Sequence, residues 1–174
     1  MKRQIFKWFI FSIIIILIFI LGVLSFSRIK EKKTTKENIQ TFHEFCAFNV
    51  GDNQKFCTES LPKQPILLLF MDPECDFCRE EIKQIKEQQN LLDNVSILLI
   101  SIVQKKQAAD FYSDYQLNQL NNIRLLIDED VIISKFFDIK TIPTVFIYDK
   151  NKKLIFNHKG EIKVEAFIHF FAEQ

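Results

Sequence analysis

A buried strand followed by two cysteines one helical turn apart constrains this chain more than any other feature. Residues 66–71 form a continuous apolar run with the length of a strand buried on both faces. Cys75 and Cys78 follow that run, and apolar residues then recur at helical spacing with charged residues between them. The pattern predicts that the Cys-x-x-Cys lies where a strand ends and a helix begins.

Two thiols at the start of a helix have the chemistry of thiol–disulfide exchange. Unpaired N–H groups and the helix dipole favour a thiolate at Cys75, and Cys78 is close enough to resolve a mixed disulfide. Half of a zinc site and two small core residues remain the alternatives. Zinc would need Cys46 and Cys57, which are spaced more widely than a zinc knuckle, and no histidine lies in a ligand cluster. We therefore favour redox chemistry without a metal or other cofactor.

Charge is distributed unevenly along the chain. Residues 1–36 contain eight of the 23 basic residues and one of the 22 acids, so the remaining chain has a net charge of −6. An acidic globular part argues against nucleic-acid binding. The basic residues flank an apolar segment, where they can meet the anionic headgroups of a lipid bilayer.

Residues 8–26 are apolar except for Ser12, Gly22 and Ser25, and the run is long enough to cross a bilayer once. It is longer than the core of a usual secretory signal, and neither a small-residue cleavage site nor a lipidation cysteine follows it. We predict a basic stub and transmembrane anchor at residues 1–27, a polar linker at residues 28–41 and one folded domain at residues 42–174.

The orientation of this single-pass anchor is not decided by charge, because basic residues flank both of its ends. The short N-terminal stub and the thiol chemistry favour a domain outside the cytoplasm, on the periplasmic side of the membrane.

A β-hairpin is predicted at the start of the domain, with strands at residues 42–49 and 53–58 around Gly51-Asp52. A two-residue turn there places Cys46 opposite Cys57, which allows a structural disulfide in an oxidising compartment. The same turn makes them a hydrogen-bonded pair with Cα atoms about 5.5 Å apart, which argues against the bond. Two half-buried free cysteines remain the alternative.

Strands and helices alternate in the rest of the chain. Helices are predicted at residues 78–92, 106–117, 129–137 and 162–172, and strands at residues 95–103, 123–127, 144–148 and 154–157. This alternation predicts an α/β fold with helices on both faces of one sheet.

An Ile-Pro-Thr motif at residues 142–144 precedes one of these strands, and alone it is an ordinary turn at the start of a strand. Together with the Cys-Asp-Phe-Cys motif at residues 75–78, it resembles the thioredoxin superfamily over about residues 42–174. The leading hairpin, the anchor, a central strand–helix insertion and Glu81 three residues after the second cysteine resemble the TlpA/ResA branch. Members of that branch are membrane-anchored thiol–disulfide oxidoreductases. The chain differs from them at Glu74, where an aromatic residue is usual.

The resemblance implies a thioredoxin-like fold and a role for each site residue. Cys75 is the attacking thiol, Cys78 is the buried resolving thiol, and Glu81 handles the proton of the second cysteine. Pro143 is cis and lies against the sulfurs, and with Ile142 it forms the loop that faces the substrate. An ordinary first-turn acid and a core side chain remain the alternatives for Glu81 and Ile142.

The resemblance also implies partners. The substrate is a protein that carries a disulfide, such as apocytochrome c or another exported protein. The electron donor is membrane-embedded or thioredoxin-like.

Five acids surround the Cys-x-x-Cys in sequence, against one basic residue, Arg79. Negative charge opposes the thiolate, and a less stabilised reduced form makes a better reductant, so we favour a reductase over a disulfide-forming oxidase. A peroxiredoxin needs Thr or Ser three residues before its cysteine, where this chain has Asp72. A metallochaperone of this fold needs a histidine, and His158 is a poor match. These two classes and a purely structural domain remain the alternatives.

Overall fold

The computed structural model of the chain describes Trp8, residues 16–22 and residues 37–172. Most of the predicted anchor at residues 8–26, and residues 28–36 of the predicted linker, lie outside these described residues. No helix in the described part of the chain has both the length and the apolar character needed to cross a membrane.

The chain divides into two units after Asn38, and the second unit, Ile39–Gln174, contains all four cysteines. The last residues of the predicted linker fall within this second unit. There Ile39 is buried, and its carbonyl accepts a hydrogen bond from the Tyr148 hydroxyl at 3.1 Å.

The sheet is built around β3 (Ile66–Phe70), in which all five residues are buried. On one side β3 pairs in parallel with β4 (Ser96–Ser101), and on the other it pairs antiparallel with β6 (Thr144–Tyr148). Because β3 is covered on both faces and paired on both edges, every side chain along it meets apolar surroundings. The continuous apolar sequence is what such a position requires.

The remaining elements complete an α/β fold. The other strands are β1 (Cys46–Asn49), β2 (Gln54–Cys57), β5 (Ile123–Ile127) and β7 (Leu154–Lys159). The helices of this unit are α1 (Asp76–Glu87), α2 (Lys105–Asp114), α3 (Ile132–Phe136) and α4 (Glu165–Ala172). In the described part of the chain the strands form one sheet in the order β2-β1-β5-β4-β3-β6-β7.

Alternate side chains of β3 divide the core into two layers. Leu69 packs in the layer that contains Ile82 of α1 and Phe167 of α4. Leu68 packs in the opposite layer, with Ile133 of α3 and Tyr148 of β6. The prediction of helices on both faces of one sheet is therefore confirmed. The bounds of β5 and β6 are the predicted ones, whereas the helices are shorter than predicted.

A disulfide joins Cys46 to Cys57 across the β1–β2 hairpin, and their Cα atoms are 4.1 Å apart. The two residues lie opposite each other, as predicted. However, the chain reverses through a four-residue loop, residues 50–53, rather than through a two-residue turn. Asn53 closes this loop with a φ of 57°, a left-handed conformation that asparagine tolerates better than most residues.

The longer loop changes which pairs of the hairpin are hydrogen-bonded. The Thr58 N–H donates to the Phe45 carbonyl at 3.0 Å, so the adjacent pair, Cys46 and Cys57, is a non-hydrogen-bonded pair. Such pairs bring Cα atoms to about 4.5 Å, close enough for a disulfide. The prediction that Cys46 and Cys57 form a hydrogen-bonded pair is therefore wrong, and the objection to the disulfide no longer applies.

Replacing both cysteines of the hairpin, Cys46→Ser with Cys57→Ser, should lower the free energy of unfolding. The bond closes a loop with a sequence separation of 11. A loop of that size restricts the unfolded chain by about 3 kcal/mol. Urea denaturation of the full-length chain measures the loss. As a control, dithiothreitol should destabilise the wild type to a similar extent and leave the stability of the double variant unchanged. Equal free energies of unfolding for the two proteins without reductant would contradict the prediction.

Candidate active site

The two remaining cysteines lie where β3 leads into α1. Cys75 is the N-cap residue of α1, and its Sγ accepts a hydrogen bond from the Cys78 backbone N–H at 3.3 Å. The sulfur therefore occupies the position in which a capping side-chain oxygen is usual. Both cysteines are free thiols. The predicted placement of the Cys-x-x-Cys, at a junction between a strand and a helix, agrees with this geometry.

The two thiols differ in depth. Cys75 is half-buried, whereas Cys78, which lies in the first turn of α1, is fully buried. Burial raises the pKa of the Cys78 thiol far above its ordinary value, and the hydrogen bond with Cys75 raises it further. The Asp72 backbone partly opposes the rise, and the charge of Glu81 adds a smaller increase. Only Cys75 is therefore accessible to a large reactant, and Cys78 holds its proton.

Glu81 lies on α1 one turn beyond Cys78, and it is 1% exposed. Neither carboxyl oxygen has a hydrogen-bond partner among the described residues. Burial raises the pKa of Glu81 to about 8, and the Glu161 carboxylate adds to the rise. The side chain is therefore mostly a neutral acid at neutral pH. Such burial does not fit the alternative of an ordinary, solvated first-turn acid.

The proline loop lies at the same end of the sheet as the dithiol. Phe70, the last residue of β3, pairs with Thr144, the first residue of β6. This register brings Pro143 to the end of β3 from which the chain runs to Cys75. The Ile142–Pro143 peptide bond is cis, as the resemblance implies. Ile142 is 40% exposed, which does not fit the alternative of a core side chain.

Three of the five acids around the dithiol contribute little net negative charge. Asp76 forms an ion pair with Arg79, and the Arg79 guanidinium also donates a hydrogen bond to the Pro73 carbonyl at 3.2 Å. Glu80 lies 3.7 Å from the Lys83 ammonium. Glu81 is mostly neutral at neutral pH, because burial raises its pKa to about 8. The net negative charge around the dithiol is therefore smaller than the sequence alone indicates.

Asp72 and Glu74 supply the negative charge that remains. Neither forms an ion pair with any residue that the structure describes. The Asp72 carboxylate accepts a hydrogen bond from the Glu74 N–H at 2.8 Å, and its carbonyl accepts one from the Cys75 N–H at 3.0 Å. Asp72 is half-buried and Glu74 is exposed, and both lie in the loop between β3 and Cys75.

A groove of about 220 Å³ beside the dithiol was not predicted. We call it the Ile102 groove; its walls include Met71, Asp72, Ile102, Thr141 and Ile142. The sequence pattern places Ile102 inside a buried strand, but β4 ends at Ser101 and Ile102 is 59% exposed. An apolar residue just beyond the carboxyl end of a buried strand is the only signal that the sequence offers for this feature.

This seven-stranded sheet, with a dithiol at the start of α1 and a cis-proline opposite, has a thioredoxin-like fold, and that prediction is confirmed. The chain belongs to the AhpC/TSA family, because the sequence profile of that family matches residues 40–157. No curated protein sequence matches the chain significantly.

Solved structures share the fold at low sequence identity. One is a secreted disulfide oxidoreductase of Mycobacterium tuberculosis described as homologous to E. coli DsbE, with a TM-score of 0.64 and 20% identity over 79% of this chain and 98% of that one. Another is the exposed lipoprotein thioredoxin Etrx1 of Streptococcus pneumoniae, with a TM-score of 0.60 and 20% identity over 76% of this chain and 100% of that one. A third is the peroxidoxin BcpB of Mycobacterium tuberculosis, with a TM-score of 0.61 and 16% identity over 76% of this chain and 92% of that one.

Replacing Glu81 with Gln should remove a pH-dependent loss of stability. The Glu81 carboxyl has an ordinary pKa of 4.5 in the unfolded chain and a pKa of about 8 in the folded protein. Stability from the neutral carboxyl is complete below pH 4.5 and is lost as the pH rises, because only the unfolded state ionises between these two values. The loss is at most about 1.4 kcal/mol per pH unit and levels off above the folded pKa.

Urea denaturation of the full-length chain at a series of pH values measures this slope. Glu80→Gln is the matched control, because Glu80 is the adjacent acid and its side chain is 55% exposed. We expect Glu80→Gln to follow the wild type, and Glu81→Gln to gain relative stability as the pH rises. Parallel curves for Glu81→Gln and the wild type would show that Glu81 is ionised in the folded protein.

Proposed function

We propose that this protein is a membrane-anchored thiol–disulfide oxidoreductase that reduces disulfides in exported proteins, with apocytochrome c as a candidate substrate. The observation that carries the proposal is the difference in depth between a half-buried Cys75 at the helix start and a fully buried Cys78 one turn later. The thioredoxin-like fold and the position of Pro143 at the same end of the sheet support it.

The reaction needs only the two thiols and a disulfide. The Cys75 thiolate attacks one sulfur of the substrate disulfide, that bond breaks, and the first substrate sulfur leaves and takes up a proton. Cys78 then loses its proton and attacks the Cys75 sulfur, which releases the second substrate sulfur as a thiol. Two electrons pass from the dithiol to the substrate. A membrane-embedded or thioredoxin-like donor must then reduce the Cys75–Cys78 disulfide.

Glu81 assists the second step in this proposal. Cys78 ionises with difficulty because it is buried, so its proton needs an acceptor nearby. Glu81 lies one turn along the same helix, and its oxygens have no other partner among the described residues. With a pKa of about 8, a fraction of the Glu81 side chains is carboxylate at neutral pH and is able to accept that proton.

The remaining charge favours reduction over disulfide formation. Asp72 and Glu74 lie close to Cys75 in the chain without ion-pair partners among the described residues, so negative charge remains near the dithiol. Negative charge does not stabilise a reduced, ionised dithiol. A dithiol whose reduced form is not strongly stabilised is the better electron donor.

Peroxide reduction is the second candidate, because the chain belongs to the AhpC/TSA family and shares its fold with a peroxidoxin. In that function Cys75 would attack a peroxide oxygen. The peroxiredoxin motif has Thr or Ser three residues before the reactive cysteine, and this chain has the carboxylate of Asp72 there. The disulfide reaction therefore remains the first proposal.

Single substitutions of the dithiol should separate the two thiols. We expect Cys75→Ser to abolish insulin reduction, because the accessible nucleophile is lost. We expect Cys78→Ser to accumulate a mixed disulfide with its substrate, because nothing resolves the first step. Mass spectrometry and the insulin assay measure these outcomes, with the hairpin double variant at Cys46 and Cys57 as the active control. Residual turnover by Cys75→Ser, or hydrogen peroxide consumption without insulin reduction, would overturn the disulfide proposal.

The proposed location on the outer side of the membrane is tested by thiol labelling of intact cells. The background is the hairpin double variant, which removes Cys46 and Cys57, while burial protects Cys78. After mild reduction, a membrane-impermeant maleimide should label Cys75 in intact cells. The same background with Cys75→Ser is the unlabelled control. Labelling that requires cell lysis would place the domain in the cytoplasm.

A further inference from the structure

The Ile102 groove and the dithiol share a structural element. Asp72 forms part of the wall of the groove, and its carbonyl accepts the hydrogen bond from the Cys75 N–H at 3.0 Å. Thr141 and Ile142 also line the groove, and they lead directly to Pro143. A polypeptide whose disulfide reaches Cys75 therefore lies next to this groove. The chemistry of the two thiols does not itself use the groove.

The groove is apolar, and apolar side chains at its rim are exposed. Ile102 is 59% exposed and Ile142 is 40% exposed, although both are large hydrophobic residues. They lie beyond the carboxyl end of β4 and just before β6, at the end of the sheet where open α/β folds bind ligands. Exposed hydrophobic residues that gather around a concavity mark an interaction site.

The size of the groove fits one side chain. Its volume of about 220 Å³ is below the range of about 300–1,000 Å³ that is usual for small-molecule sites. It has room for one bulky apolar side chain of a segment that lies across the surface. An extended or unfolded segment presents such a side chain, because most bulky apolar side chains of a folded protein are held in its core.

The charge at the groove indicates a second feature of the substrate segment. Lys140 also lines the groove, but its ammonium is paired with Asp138 at 2.9 Å. Asp72 lines the groove, and its carboxylate accepts a hydrogen bond from the Glu74 backbone N–H at 2.8 Å. Neither acid forms an ion pair among the described residues, so the groove is negative at Asp72. A basic side chain complements this charge, and an acidic one is repelled by it.

We propose that the Ile102 groove selects extended protein substrates that carry a bulky apolar residue and a basic residue next to the disulfide cysteine. The apolar side chain enters the groove, and the basic side chain meets Asp72 and Glu74. This inference rests on the proposed disulfide reduction and names the substrate class of the same site.

Short synthetic peptides test the proposal on the reduced full-length chain. Each peptide has one cysteine joined by a disulfide to 2-mercaptoethanol, with Leu or Ser on one side of the cysteine and Lys or Glu on the other. We expect the second-order rate constant for the single-turnover reduction of the peptide to be about tenfold higher for Leu than for Ser, a typical discrimination for an apolar pocket. We also expect Lys to be preferred over Glu, and this preference to weaken as salt is added.

Variants of the protein assign each preference to its residue. Ile102→Ser should bring the Leu-to-Ser ratio close to one and keep the Lys preference, and Ile102→Phe should retain both. Glu74→Gln should reduce only the Lys preference. Leu91→Ser and Asp93→Asn are the matched controls, because both residues are exposed and follow the far end of α1. Both controls should keep the wild-type ratios.

The possible failures are distinguishable. If the wild type reduces the peptides but shows no preference, or if Ile102→Ser keeps the preference for Leu, the groove does not select substrates and the inference is wrong. If the wild type reduces neither the peptides nor 2-hydroxyethyl disulfide, the proposed function fails, and the inference fails with it.

Discussion

The enclosure of β3 is the constraint on which the site depends. β3 is covered on both faces, and backbone hydrogen bonds along both of its edges set its register with β4 and β6. That register brings three loops to one end of the sheet: the loop that leads to Cys75, the loop after β4, and the loop that contains Pro143. The dithiol, the proline and the Ile102 groove adjoin each other because one strand aligns its two neighbours.

The features that follow from local pattern were predictable from the sequence. β5 and β6 have the predicted bounds, because short apolar runs between polar turns define a buried strand clearly. The position of Cys75 at the start of a helix follows from the apolar strand before it and the helical spacing after it. The opposition of Cys46 and Cys57 also followed, because it depends only on the centre of the turn.

The features that depend on turn length and on distant segments were not predictable. The hairpin loop, residues 50–53, is longer than the Gly51-Asp52 signal indicates, and Asn53 closes it in a left-handed conformation. The extra length changes which opposing residues of the hairpin are hydrogen-bonded pairs. The burial of Glu81 depends on how α1 packs on the sheet, and a single sequence shows only its spacing from Cys78. The Ile102 groove forms between loops far apart in sequence, and no periodicity records their convergence.

The depth of Cys78 also has a consequence for damage by oxidants. An oxidant that reaches the half-buried Cys75 first converts it to a sulfenic acid, and further oxidation of a lone cysteine is irreversible. Here a second thiol lies one helical turn away, where solvent does not reach it. Condensation of the sulfenic acid with that thiol releases water and forms the Cys75–Cys78 disulfide. Because this is also the product of the proposed reaction, the same electron donor that completes turnover would repair the lesion.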